Sequence, residues 1–397
     1  MNSKSTSGIG KITLNGGIVL KKIVFTLVLL VMFCAFVIPA RAVEIEISSG
    51  AAVLMDLDSG RVLYSKNADQ QMSPGGLNKI MTGLLAAEKK SLDDVIKLPI
   101  GFTPVPGSNA GLKAGDSRTV EALLYAMILH YSNNAAQALA IGVSDSEGLF
   151  VDLMNRRSAE LGMTNTNWFS SYGLSKDDSV TTAYDLALLT RAAMKNPVFA
   201  EIMGTGYVEN VPWGEGKTET FTHIDRDFLR TYKSFANGVR TADRSMPDYC
   251  MVASGEKNGI RLVAVIMNGG SNQGMYEEMA KLLDYGFSNY SRTNVGSEGE
   301  KIGSVKVSGG SAKTVDALLA EDVYILHKTG DVPVKSISLP EVLTSPIGKG
   351  DVIGSVTFTD GDYEVTVDVL AAENVKRNVF WELFKQAFKR IFSVWVK

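Results

Sequence analysis

Short apolar runs near both ends of residues 43–292 predict one β-sheet whose strands come from distant parts of the chain. Residues 51–55 and 61–64 flank a turn-forming segment, and this pattern is typical of a β-hairpin. Residues 249–254 and 261–267 have the same pattern and predict a second hairpin. We expect the two hairpins to share an antiparallel sheet.

Between the two hairpins, apolar residues recur at the spacing of an α-helix. In the first such segment Met81, Leu84 and Leu85 fall on one face, which predicts a buried helix. Thr181 or Thr182 is the predicted N-cap of a later helix. Strands at both ends and helices between them indicate an α+β domain. The predicted helices cover residues 80–89, 120–129, 135–141, 150–161, 183–194 and 275–285.

The composition changes after a polar linker at residues 293–300. Short apolar segments separated by Gly and Pro predict a small all-β domain at residues 298–372. Residues 376–397 place basic and aromatic residues at helical spacing, which predicts an amphipathic helix on an anionic membrane surface. A helix packed on the β-domain is the alternative. The apolar positions of this helix are Phe380, Trp381, Phe384, Phe388, Ile391, Phe392 and Trp395, and the basic ones are Lys376, Arg377, Lys385, Lys389, Arg390 and Lys397.

The N-terminus has the features of a secretory signal peptide. Lys21 and Lys22 precede an apolar run of 16 residues at 23–38, and the small-x-small sequence 40–42 follows it. We therefore expect residues 1–42 to be a signal peptide and the mature protein to lie at the extracytoplasmic face of the cytoplasmic membrane. A retained anchor is the alternative, although a membrane span needs about 20 apolar residues.

Charge and metal-binding residue types exclude several functions. The net charge of −3 lacks the basic surplus of a nucleic-acid-binding protein, so no nucleic-acid partner is expected. Removal of the signal peptide removes Cys34 and leaves Cys250, which excludes an intrachain disulfide and suggests a small core residue. His130, His223 and His327 show no metal-ligand spacing, so neither a metal nor another cofactor is expected.

Candidate chemistry begins with Lys79, the residue that opens a predicted buried helix. A lysine at such a position is costly unless it is paired or functional, and a lysine that extends to solvent is the alternative. The triplet Ser132-Asn133-Asn134 follows 53 residues later, between two predicted helices. A Ser-x-Asn triplet is common by chance, so its position relative to Lys79 carries more weight than its composition.

The chain resembles the low-molecular-mass penicillin-binding proteins of the serine D-alanyl-D-alanine carboxypeptidase family. These enzymes remove the terminal D-alanine from peptidoglycan stem peptides through an acyl-enzyme. The resemblance implies a β-lactamase-like domain, a C-terminal β-domain and a terminal amphipathic helix, as the patterns above predict independently. The blocks that carry it occur in order at residues 52–56, 59–64, 79–82, 84–88, 122–126, 150–155, 161–166 and 249–254.

The family uses three motifs: Ser-x-x-Lys, Ser-x-Asn and Lys-Thr-Gly. In this chain Gly76 stands where the nucleophilic serine is expected, whereas Lys79 matches the general base. The second motif is intact, which implies that Ser132 serves proton relay and that Asn134 binds substrate.

The third motif falls on Arg240-Thr241-Ala242, where the family places a cation and a hydroxyl against the substrate carboxylate. Arg240 keeps the charge but not the ammonium geometry. Thr241 matches the motif, and the Cβ of Ala242 is expected to crowd the strand.

Three further residue groups are rejected as replacements for the missing nucleophile or for the third motif. The sequence Lys328-Thr329-Gly330 spells the third motif, but it lies in the β-domain and is predicted to be a surface turn. Ser73 lies six residues before Lys79 and is expected on the wrong side of the turn. Recruitment of Ser132 as a nucleophile has no support in the sequence.

The sequence favours a pseudoenzyme that retains the fold and binds peptidoglycan stem peptides ending in D-Ala-D-Ala, or a protein partner that the sequence does not identify. Loss of a catalytic serine costs about a millionfold in turnover, or about 8 kcal/mol of barrier. The alternatives are an active D-Ala-D-Ala carboxypeptidase with a displaced nucleophile and a non-catalytic structural protein of the envelope.

Overall fold

A computed structural model describes residues 45–174, 178–242 and 249–395. The predicted signal peptide at residues 1–42 lies outside these ranges. Residues 47–397 group into one compact unit. Among the helices in the described ranges, none combines the length and apolar character that crossing a bilayer requires.

The first part of the chain is built on a five-stranded antiparallel sheet with the order β2-β1-β9-β8-β7. Strand β1 pairs with β9 from Ala51↔Met267 to Asp56↔Leu262. The prediction that the two hairpins share one sheet is therefore confirmed. The strands of this part are β1 (Ala51–Asp56), β2 (Val62–Lys66), β3 (Val95–Lys97), β4 (Ser117–Thr119), β5 (Tyr207–Gly214), β6 (Lys217–Thr222), β7 (Ala236–Thr241), β8 (Tyr249–Lys257) and β9 (Ile260–Gly269).

Most of the helices in this part begin at a side-chain cap, which supplies an acceptor to an otherwise unpaired backbone N–H. The hydroxyl of Thr182, rather than that of Thr181, caps the helix that begins at Ala183. The helices are α1 (Asn78–Lys89), α2 (Val120–Ile128), α3 (Asn133–Ser144), α4 (Glu147–Glu160), α5 (Ala183–Lys195), α6 (Pro197–Gly204), α7 (Arg226–Thr231) and α8 (Asn272–Asn289).

Helix α1 lies in the main core, where every residue from Asn78 to Ala86 is buried. Its close approach to α6 requires a glycine, because a Cβ added at Gly83 would lie 2.2 Å from the ring of Phe199. The burial of α1 confirms the sequence prediction and fixes the position of Lys79, which belongs to its first turn.

The hairpin β5–β6 and helices α6 and α7 were not predicted from the sequence. The strands of the hairpin are mostly exposed and bury few side chains, chiefly Val211, Trp213 and Phe221. Their pattern is weak because only one part of each strand meets the core, where Trp213 packs against Phe221 at a ring-centroid distance of 5.3 Å.

The second part of the chain is all-β, as predicted. A six-stranded sheet with the order β14-β16-β17-β12-β11-β15 accompanies the pair β10–β13. Its own core includes Val356, Phe358 and Val369. The strands are β10 (Tyr290–Gly296), β11 (Lys301–Ser308), β12 (Thr314–Leu319), β13 (Val323–Lys328), β14 (Val334–Ser338), β15 (Val342–Thr344), β16 (Val352–Asp360) and β17 (Tyr363–Ala371).

The C-terminal segment forms helix α9 (Val379–Trp395). Its apolar side chains are exposed: Phe380 by 70%, Phe384 by 48% and Phe388 by 52%. Phe384 stacks on both Phe380 and Phe388, at ring-centroid distances of 6.4 and 6.0 Å.

Candidate active site

Gly76 lies in a single 3₁₀ turn, Gly75–Leu77, that leads into α1. Gly75 has a φ of 54°, a conformation that favours glycine, whereas Gly76 does not lie in the left-handed region. Gly76 is buried and forms part of the wall of a cavity of about 170 Å³. The wall of this cavity comprises Gly76, Lys79, Ser108, Tyr131, Asn133, Gly173, Ile224 and Arg240.

Lys79 is 3% exposed, so it is not a lysine that extends to solvent. Its Nζ donates a hydrogen bond of 2.5 Å to the carbonyl of Tyr172. Lys79 follows Gly76 by three residues, about one helical turn, and both residues line the same cavity. Gly76 offers no hydroxyl to the amine of Lys79.

Residues 170–173 form a loop that positions the partner of Lys79. The side chain of Asn78 donates to the Ser170 carbonyl at 3.0 Å, and the Thr82 hydroxyl donates to the Ser171 carbonyl at 2.6 Å. Gly173 lies so close to the 3₁₀ turn that an added Cβ would be 2.2 Å from the Gly75 carbonyl oxygen. This loop, which was not identified from the sequence, therefore joins α1 to the cavity wall.

Glu147, at the start of α4, holds the same loop from the other side. Its carboxylate accepts from the Ser171 backbone N–H at 2.7 Å and from the Ser171 hydroxyl at 3.0 Å. Burial raises the pKa of Glu147 above its usual value, although the two hydrogen bonds from Ser171 act in the opposite direction. No motif in the sequence indicated this residue.

Ser132 and Asn134 lie beside the cavity but do not form its wall; Asn133 does. Ser132 caps α3, because its Oγ accepts from the Ala135 N–H at 3.2 Å and donates to Asn134 Oδ1 at 2.5 Å. Asn134 Oδ1 also accepts from the Ala110 N–H at 3.0 Å. Both side chains are fully buried and hold the backbone around the cavity.

Arg240 and Thr241, at the end of β7, are also fully buried. Arg240 donates to the Ile128 carbonyl at 3.1 Å, and its guanidinium lies 3.5 Å from the centre of the Tyr131 ring. Such a contact is a cation–π interaction. The next residue, Ala242, is buried and donates its N–H to the Cys250 carbonyl at 2.8 Å, as a regular strand residue does.

A buried network that was not predicted from the sequence surrounds Thr241. Asp225 accepts from the Thr241 N–H at 3.1 Å, from the Thr241 hydroxyl at 3.0 Å and from the Tyr276 hydroxyl at 2.7 Å. The Tyr131 hydroxyl also donates to Asp225 and contacts Thr241 Oγ1. Burial, followed by the negative charge of Asp225, raises the pKa of Tyr131 well above its usual value.

Outside the cavity, two sequence predictions are confirmed. Cys250 is buried in β8, with its Sγ 3.8 Å from the Ser73 carbonyl. Lys328-Thr329-Gly330 forms an exposed turn at the end of β13. Among the described residues, no group of three or more His, Cys, Asp or Glu side chains is arranged to hold a metal ion.

Comparison with known proteins agrees with the fold. A family model described as D-alanyl-D-alanine carboxypeptidase matches residues 38–271, and the model of the penicillin-binding protein 5 C-terminal domain matches residues 290–377. The D-alanyl-D-alanine carboxypeptidase DacF of Bacillus subtilis is 28% identical over 395 residues, covering 95% of this chain and 100% of the relative. DacD of Escherichia coli is 27% identical over 352 residues, covering 84% and 88%.

Two solved structures share the fold. Penicillin-binding protein 5 of Haemophilus influenzae superposes with a TM-score of 0.71 at 24% identity, covering 84% of this chain and 99% of that one. A D-alanyl-D-alanine carboxypeptidase of Mycobacterium tuberculosis superposes with a TM-score of 0.58 at 28% identity, covering 63% and 95%. The chain therefore belongs to the D-alanyl-D-alanine carboxypeptidase family of penicillin-binding proteins.

Proposed function

We propose that this family member binds peptidoglycan stem peptides without forming an acyl-enzyme. The observation that carries the proposal is Gly76, which stands in the cavity wall at the position of the nucleophile and beside a buried lysine. Catalysis by this family requires an ester bond to a serine hydroxyl, and glycine has no atom that can form one. In this proposal Lys79 and the cavity wall serve recognition.

The serines closest to the site in sequence are poor replacements. The Ser132 hydroxyl already accepts a hydrogen bond from the Ala135 N–H and donates one to Asn134 Oδ1. The Ser73 hydroxyl accepts from the Gly75 N–H at 3.4 Å, before the 3₁₀ turn and outside the cavity wall. These contacts support non-covalent binding over a displaced nucleophile.

We further propose that the mature protein acts outside the cytoplasm, at the membrane surface, through α9. The exposed phenylalanines of α9 share the helix with Lys385, Lys389 and Arg390. Exposed aromatic and basic residues on one helix suit an anionic bilayer interface. Vesicles containing anionic lipid should sediment the wild-type protein and should sediment Phe384→Ser/Phe388→Ser much less; equal sedimentation would contradict this role.

The test of non-covalent binding combines the intact mass of the protein with its affinity for a peptide. The purified protein is incubated with a fluorescent penicillin and, separately, with an activated D-alanyl thioester whose thiol carries no charged substituent. The intact mass of the protein is then measured. We expect no adduct, together with saturable binding of a D-Ala-D-Ala pentapeptide detected by NMR. The Lys79→Met variant should weaken that binding.

The matched control is Lys328→Met, which removes an exposed lysine of the unrelated Lys-Thr-Gly turn. It should bind the pentapeptide as the wild type does. A covalent adduct that disappears in Lys79→Met and persists in Lys328→Met would instead identify an active enzyme with a displaced nucleophile.

A further inference from the structure

A second cavity, of about 470 Å³, lies between α7 and the first two turns of α8. Cavities that bind small molecules commonly have volumes of about 300–1,000 Å³. Three aromatic side chains belong to its wall, and Phe228 is the central one. The Phe228 ring centroid lies 4.9 Å from that of Tyr232 and 5.5 Å from that of Tyr276. The three rings therefore form a continuous aromatic surface.

The three rings are held in place by contacts behind the cavity. Phe228 is fully buried, and the Tyr276 hydroxyl donates to the buried carboxylate of Asp225 at 2.7 Å. Tyr232 stacks on Phe235 at a ring-centroid distance of 5.8 Å. Groups that are already in position lose little conformational freedom when a ligand binds, and this favours affinity. The aromatic surface is therefore preorganised.

The charged side chains of this wall are Asp227, Arg230 and Glu277. Asp227 and Arg230 pair with each other at 3.2 Å, so their charges offset each other. Glu277 accepts a hydrogen bond of 3.1 Å from the amide of Gln273, which is neutral and does not cancel the charge of the carboxylate. Two carboxylates and one guanidinium thus give the wall a formal charge of −1.

An aromatic surface beside a negative charge suits an organic cation. The face of an aromatic ring is electrostatically negative and attracts a cation within about 6 Å of its centroid. A metal ion such as Ca²⁺ or Mg²⁺ instead needs several oxygen ligands, and rings supply none. The first cavity has the opposite character, because the cationic side chains of Lys79 and Arg240 belong to its wall.

We propose that the second cavity binds an alkylammonium group, that is, a primary amine on a short aliphatic chain. The ammonium lies over the aromatic surface near the carboxylate of Glu277, and the aliphatic chain packs on the rings of Phe228 and Tyr232. The proposal does not rest on stem-peptide binding, which concerns the first cavity.

The test is a ligand-observed NMR titration of the full mature chain at constant ionic strength. The probe is n-butylammonium, and 1-butanol is its neutral match of similar size. Butanol can pack on the same rings but carries no charge, so it lacks both the attraction to the ring faces and the attraction to Glu277. The wild type is expected to bind butylammonium saturably and about tenfold more tightly than butanol.

The Glu277→Gln variant removes the negative charge with little change of shape. It is expected to bind butylammonium about fivefold more weakly than the wild type and to bind butanol equally well. The matched control is Glu219→Gln, which removes the same charge from an exposed position of β6 outside the wall. This control should bind both probes as the wild type does.

The contribution of the rings is tested at Tyr232. Tyr232→Leu removes one ring and should weaken butylammonium binding about fivefold, because a cation–π contact is lost. Tyr232→Phe keeps the ring and should retain the wild-type affinity. Thermal unfolding establishes whether each variant is folded, and the comparison at Glu277 does not depend on the folding of Tyr232→Leu.

Three results would overturn the proposal: no saturable binding of butylammonium, equal affinity of the wild type for butylammonium and butanol, or equal affinity of Glu277→Gln and Glu219→Gln for butylammonium. Each of them leaves pentapeptide binding at the first cavity untouched, because that binding is measured with a different ligand. Conversely, a failure of pentapeptide binding does not affect the ammonium site.

Discussion

At position 76 the backbone conformation does not require a glycine. The φ angle of Gly76 lies outside the left-handed region, whereas that of Gly75 lies within it at 54°. A serine can therefore replace Gly76 without backbone strain, but a side chain at Gly75 would be strained. A serine at position 76 would therefore lie in the wall of the cavity that Lys79 also lines.

We therefore expect the Gly76→Ser variant to form a covalent adduct with the activated D-alanyl thioester. The adduct should appear as a mass increase of one acyl group. The physical reason is that Lys79 is buried, held by Tyr172 and one helical turn from the new hydroxyl. Gly76→Ala is the control and should give no adduct. A folded Gly76→Ser protein that remains unmodified after hours would show that Lys79 does not act as a base.

Glu147 gives a prediction about pH. Its pKa is raised by burial, so the folded protein binds its proton more tightly than the unfolded chain does. The free energy of unfolding therefore falls as pH rises from the ordinary carboxyl value of 4.5 through the folded value. Glu147→Gln removes this ionisation, and the variant should lose less stability than the wild type between pH 4.5 and pH 7.

Urea denaturation at several pH values measures this difference. The gap in unfolding free energy between Glu147→Gln and the wild type should move in favour of the variant as pH rises. Asp185, whose pKa is also raised by burial, is unchanged in both proteins and does not affect the comparison. A gap that is constant with pH would contradict the role assigned to burial.

Among the elements, α1 determines the geometry of the site because it carries Lys79 and is buried along most of its length. Its periodicity was sufficient to predict a buried helix. The hairpin β5–β6 was not predictable in the same way, because Val211, Trp213 and Phe221 contact the core while their neighbours are exposed. An element with so few buried positions shows no clear periodicity of apolar residues in the sequence.

The packing of α1 on α6 is testable at Gly83. An added Cβ would lie 2.2 Å from the Phe199 ring, so Gly83→Ala should destabilise the protein by about 1–3 kcal/mol. Gly148→Ala, in the exposed first turn of α4, places a Cβ in open space and should leave stability equal or raise it by up to about 1 kcal/mol. Thermal unfolding distinguishes the two. Equal melting temperatures would contradict the close helix contact.

In the whole molecule, the carboxypeptidase-like part and the β-domain meet at Arg61. Its guanidinium donates to Asp360 at 2.6 Å and to the Leu326 carbonyl at 2.8 Å, and it lies 4.8 Å from the centre of the Tyr363 ring. Arg61 and Asp360 are 12% and 7% exposed, so this ion pair is largely shielded from water. The contact joins a hairpin near the start of the chain to the turn between β16 and β17.

Removing one partner of a buried pair leaves an uncompensated charge, so Arg61→Ala should lower stability by about 3 kcal/mol. The β-domain should also become more accessible to limited proteolysis near residues 290–300. Arg230→Ala removes an exposed arginine paired with Asp227 and should have little effect. Identical digestion patterns for Arg61→Ala and wild type would show that other contacts hold the two parts together.

The sequence by itself determined the order of the elements, the α+β and all-β parts, and the absence of a hydroxyl at position 76. These depend on local periodicity and on motif positions such as Gly76 and Lys79. Only the tertiary structure decided which distant side chains meet beside the cavity. Tyr131 and Asp225 are 94 residues apart and carry no motif, so only folding brings them to Thr241, in a buried network beside the cavity.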